Sequence, residues 1–135
     1  MKEQLSAAIG VIGGFISYLF GGWSTAIATL LIFMAIDYIS GAIVAGVFHN
    51  SKKSKSGSLE SRAGWKGLCR KGGTLLVVLV AVRLDITLGF NFVKDAVIIA
   101  FITNELISIA ENIGLMGVPI PDAVTKTIDV LKKPS

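Results

Sequence analysis

The run from Thr25 to Phe48 most constrains what this chain can become, because its only charge is Asp37. At about 1.5 Å per residue, a helix over that run reaches about 36 Å and crosses a hydrocarbon core of about 30 Å. Composition points the same way. Hydrophobic residues make up 53% of the chain and charged ones 16%, with a mean hydropathy of +0.72. A soluble domain carries about 25% charged residues. Too few polar side chains are present to coat a water-facing globule, so the expectation is an all-α integral membrane protein.

Three further apolar segments accompany this one: 5–20, 74–93 and 95–113. The first is short and glycine-rich, and as a helix it reaches only about 24 Å. Four crossings are therefore expected, with three as the alternative in which 5–20 lies in the interface. Lys2 before an apolar run and Ala26-Ile27-Ala28 have the outline of a cleaved leader. Glu3 weakens the basic end, and apolar sequence continues past the site, which argues against cleavage. Beyond Gly117, Pro119 and Pro121 break the helix. The tail 121–133 sets Val124, Ile128 and Leu131 on one side, the pattern of an amphipathic helix at the membrane surface.

The charge is unevenly spread. Seven of the thirteen basic residues, Lys52, Lys53, Lys55, Arg62, Lys66, Arg70 and Lys71, fall in the segment 49–73. Lysine and arginine are retained in the cytoplasm, so this loop and, with four crossings, both termini are expected there. A nucleic-acid module would instead need a basic face on a folded domain. Cys69 is the only cysteine, which excludes an intramolecular disulfide, and with His49 far off it makes no zinc site. No phosphate-binding glycine loop, nucleophile elbow or His/Cys/carboxylate cluster is present, so neither catalysis nor a cofactor is expected.

Charges within spans need a reason to be there. Measured from the cytoplasmic ends of their segments, Asp37, Arg83 and Glu105 lie about 16, 14 and 12 Å deep. Arg83 is therefore expected to pair with Asp37, or else with Glu105; Asp85, two residues along, points away from Arg83. Arg83, Thr87 and Asn91 form one polar stripe. Glu105, Ser108 and Asn112 form another, with Asn104 and Glu111 close by. Such stripes either seam a bundle together or line a watery path or an oligomer interface. Gly10, Gly14 and Ser17 in the first segment, and Gly41 in the second, have the small-xxx-small spacing that lets helices associate closely in lipid.

Gly64-Trp65-Lys66-Gly67-Leu68-Cys69-Arg70-Lys71 resembles the Gly-x-x-Gly-Leu-x-(Lys/Arg)-Lys signature of the phage holin family that includes the clostridial toxin-secretion holins. Asp37 with Gly41 in the preceding span is similar to the family's Asp-x-x-x-Gly pair. So is the stretch Asn104 to Asn112 followed by Gly117 and Pro121. The resemblance covers Asp37 to Pro121. It implies a phage- or prophage-encoded protein of the bacterial inner membrane that oligomerises and opens lesions through which an endolysin reaches the cell wall. The basic loop would then face anionic lipid headgroups at about 1 kcal/mol per Lys or Arg. Two other readings remain: a small proton- or cation-coupled transporter using Glu105 or Asp37, and a structural subunit of a membrane complex.

The lysine and arginine asymmetry makes a topological prediction. With Ser56→Cys in a Cys69→Ser background, a membrane-impermeant thiol reagent labels the chain only after the membrane is opened. Rapid labelling of intact cells would reverse the orientation.

Overall fold

The computed structural model describes residues 1–133, which form five α-helices and, among the described residues, no strand. They are α1 (Lys2–Leu19), α2 (Thr25–Gly46), α3 (Ser61–Leu88), α4 (Val93–Leu115) and α5 (Asp122–Lys132). Each boundary has a local cause. Gly21 and Gly22, both at positive φ, turn the chain out of α1, and Ser24 opens α2 by accepting the Ile27 N–H at 3.2 Å. Gly89, at φ 70°, closes α3 in the left-handed conformation that costs glycine little.

Two helices, α2 and α4, are long and apolar enough to cross a membrane. α1 is shorter, and α3 carries Arg62, Lys66, Arg70, Lys71, Arg83 and Asp85. α4 packs mainly on α2 and secondarily on α3. The apolar core lies where these three helices meet at the end near the α3–α4 turn. It is built from Ile27, Leu30 and Met34 of α2, Val78 and Val82 of α3, and Ile98 of α4. Ile27, Leu30, Met34 and Asp37 continue down one buried face of α2, so the stripe that starts apolar ends at a carboxylate. α1 buries no residue. Its Leu5, Ile9, Val11, Ile12 and Phe15 are all exposed, and a Cβ at Gly10 or Gly14 would meet nothing within 4 Å.

Two boundaries differ from those expected. α3 begins at Ser61, not near Thr74. Gly72 and Gly73, which read as the end of a loop, lie inside the helix, and the loop is only 47–60. The turn between α3 and α4 comes at 89–92, earlier than the break between the 74–93 and 95–113 segments. Asp85 explains that placement. Its buried carboxylate accepts the N–H groups of Val93 at 3.1 Å and Lys94 at 2.9 Å, two of the donors that a helix N-terminus leaves without partners. The residue set aside as a partner for Arg83 is thus the cap of the next helix.

Removing that cap leaves two N–H groups unsatisfied beneath α3. Asp85→Ala is expected to lower the stability of the detergent-solubilised chain by about 1–2 kcal/mol, read as an earlier thermal transition. A transition at the wild-type temperature would show that the turn holds without Asp85.

Candidate functional site

Below the apolar core, toward the 47–60 loop, the same three helices converge on charge. Lys71 of α3 donates to Asp37 Oδ2 at 2.9 Å and to both carboxylate oxygens of Glu105 at 3.0 and 2.9 Å. The Lys71, Asp37 and Glu105 side chains are only 15%, 8% and 13% exposed. One ammonium therefore joins α2, α3 and α4. Measured from the loop-side ends of their helices, Asp37, Lys71 and Glu105 each lie about 14–15 Å in, which places the three groups level.

Hydrogen bonds complete the site. Ser108 donates to Asp37 Oδ1 at 2.6 Å. The Asn112 amide lies within reach of Asp37 Oδ1 at 3.0 Å, the Asp37 carbonyl at 3.1 Å and Ser40 Oγ at 2.9 Å. Glu105, Ser108 and Asn112 are spaced to share one face of α4, and they present it to Asp37 and Ser40 on α2. Among the described residues no buried side-chain polar atom lacks a partner. That completeness is what a charge cluster inside an apolar bundle requires.

Three glycines lie against side chains in and beside the site. A Cβ at Gly41 would stand in ordinary van der Waals contact with Asn112 Nδ2 at 3.6 Å and Lys53 Nζ at 3.8 Å, so this position borders the polar site. A Cβ at Gly64 would come within 3.3 Å of the Tyr38 hydroxyl, which donates to the Gly64 carbonyl. The Gly64-x-x-Gly67 pair is where α3 seats Tyr38.

The expected Arg83–Asp37 pair is not formed. Arg83 is exposed and enters no ion pair among the described residues. An apolar segment that opens at Thr74 puts Arg83 level with Asp37, whereas α3 starts at Ser61. Arg83 consequently sits about 18 Å beyond Lys71, near the opposite end of the bundle. Thr87 and Asn91 are exposed with it, so that stripe seams nothing. Asn104 and Glu111 are also exposed and outside the cluster, as are Lys66 and Arg70 on α3. Lys71, grouped with the basic loop, is the central cation. A helix begun at Ser61 would have revealed it, because Lys71 then matches Asp37 and Glu105 in depth.

Outside the helices, Ser56 donates to Glu60 at 2.8 Å and holds that exposed carboxyl below its ordinary value. Among the described residues no group of three His, Cys, Asp or Glu could hold a metal ion, and Cys69 is exposed and free.

A model of the bacteriophage holin family matches residues 14–133. A probable holin of Bacillus phage phi105 is 35% identical over 131 residues, covering 96% of this chain and 85% of that protein. An uncharacterised protein of Listeria monocytogenes is 37% identical over 129 residues, covering 95% and 86%. One of Clostridium perfringens is 38% identical over 127 residues, covering 91% and 88%. No solved structure matches the chain.

Removing one member of a buried ion cluster leaves the others uncompensated, at about 3–5 kcal/mol. Lys71→Leu and Asp37→Leu should each lower stability by that order, and the double variant by less than the sum. Arg83→Leu should change it little. Additive losses, or a large effect at Arg83, would contradict the Lys71 cluster.

Proposed function

The chain belongs to the bacteriophage holin family, and from that premise we propose that it is a non-enzymatic holin. It oligomerises in the bacterial cytoplasmic membrane and permeabilises it, so that an endolysin, or a toxin, leaves the cytoplasm. The observation that carries this reading beyond family membership is the contrast between α1 and the rest. α2, α3 and α4 join Asp37, Lys71 and Glu105 in one buried cluster, whereas α1 buries nothing and offers an apolar surface lined with small residues. In lipid such a helix associates by close backbone approach rather than by a hydrophobic force. Gly10, Gly14 and Ser17 on α1 are the contact we assign to a second copy.

We read α1 to α4 as four crossings, with the 47–60 loop and both termini in the cytoplasm. At about 1.5 Å per residue the helices reach about 27, 33, 42 and 34 Å. The surplus of α3 projects Arg62, Trp65 and Lys66 beyond the hydrocarbon, toward anionic headgroups. Exposed Tyr18, Trp23, Phe90 and Phe92 suit the other interface. α5, with its apolar and charged sides, lies along the cytoplasmic surface. The transporter reading needs a carboxylate free to exchange its partner, and Lys71 engages both.

Controlled expression in bacteria tests the proposal. Growth is expected to stop abruptly with release of a folded cytoplasmic reporter enzyme. Gly14→Leu should reduce cross-linked oligomers and delay that stop. Altered ion tolerance without protein release would favour a transporter instead.

A further inference from the structure

The loop 47–60, so rich in serine and lysine, is folded rather than slack. Ser51 N–H donates to the Gly57 carbonyl at 2.9 Å. Ser54 Oγ donates to the Ser58 carbonyl at 2.7 Å, and His49 Nδ1 lies 2.9 Å from Ser58 Oγ. Gly57 holds the tight turn at φ 75°, where a Cβ would come within 2.8 Å of the His49 carbonyl oxygen. Leu59 reaches back to Gly46 at the end of α2. Between this folded segment and helices α2 and α3 lies a cavity of about 240 Å³, whose lining includes Asp37, Gly41, Ala45, Lys53, Lys71 and Glu105.

Charge balance gives the segment a role. With both carboxyls ionised, Asp37 and Glu105 carry two negative charges, and Lys71 neutralises one. The second cation comes from the loop. Lys53 Nζ lies 3.7 Å from Asp37 Oδ1 and donates to Ser108 Oγ at 3.3 Å, while its side chain stays 53% exposed. The Lys53 ammonium is the member of the cluster already half in water, so it is the one that hydration can most readily draw away. The cluster it leaves would then hold an uncompensated charge and lie open to water.

We propose that segment 47–60 is a strap over the carboxylate cluster, latched by the Lys53 ammonium, and that its release admits water from the loop side to Asp37, Lys71 and Glu105. The latch itself follows from the ion geometry. Its consequence, loosening of the α2–α3–α4 seam before the membrane is permeabilised, rests on the holin reading.

Access can be measured without reference to lysis. Ala45 is buried and lines the cavity, so Ala45→Cys in a Cys69→Ser background reports opening of the strap. The full chain is placed in lipid vesicles with the loop side accessible, and labelling by a water-soluble maleimide is timed. Lys53→Gln should speed labelling several-fold. Lys53→Arg should leave it slow, and so should Lys52→Gln, which removes the same charge from the neighbouring exposed residue. An unchanged rate in Lys53→Gln, or an equal rise in Lys52→Gln, would overturn the latch whatever the chain does to cells.

Discussion

The Lys71 ammonium stands between Asp37 and Glu105, and the arrangement of α2, α3 and α4 depends on it. An apolar environment makes each of these charges costly alone, yet together they leave only one negative charge for Lys53 to offset. A charge cluster also specifies position more sharply than apolar packing does. Sliding α3 by one turn moves Lys71 about 5.4 Å and strands three ions, whereas an apolar stripe would find new neighbours. The cluster thus sets the register of three helices whose apolar surfaces alone would tolerate several.

Each half of the bundle holds the chain in a different way. Near the α3–α4 turn, Ile27, Leu30, Met34, Val78, Val82 and Ile98 pack as a dry core, and Asp85 pins the turn by capping α4. Toward the loop, Val44 and Ala45 are still buried, but the helices are joined there by the polar cluster, which reaches out to Lys53 at the edge of water. Opening from that end is physically easier, because polar groups lose less on meeting water than a buried apolar core does. α1 belongs to neither half. None of its residues is buried within the chain.

Much of this was legible in the residues. Apolar run length marked α2 and α4, and the i, i+3, i+7 spacing of Glu105, Ser108 and Asn112 marked the face that meets Asp37. The resemblance carried by Gly64, Gly67, Arg70 and Lys71 agrees with the family that the comparisons assign. The partner of Asp37 is not legible in the same way, because Gly72-Gly73 has the form of a loop end. Glycine has low helix propensity, but here the helix passes through both residues, and that shifts every depth along α3. The strap was illegible for a related reason. Its serines suggest flexibility one at a time, and only their mutual hydrogen bonds and the pull of a distant carboxylate fold them.

The arrangement of α2, α3 and α4 rests on Lys71 joining Asp37 and Glu105 inside the bundle. Solid-state nuclear magnetic resonance on the full chain in lipid bilayers tests it directly. With ¹⁵N-labelled lysine and ¹³C-labelled aspartate and glutamate, the Lys71 Nζ signal is identified by its loss in Lys71→Arg. Its dipolar dephasing is then followed in Asp37→Asn and Glu105→Gln variants. Dephasing by both carboxyl carbons, each contribution falling with its own variant, is the result the account predicts. A Lys71 ammonium remote from both carboxyl carbons would contradict it.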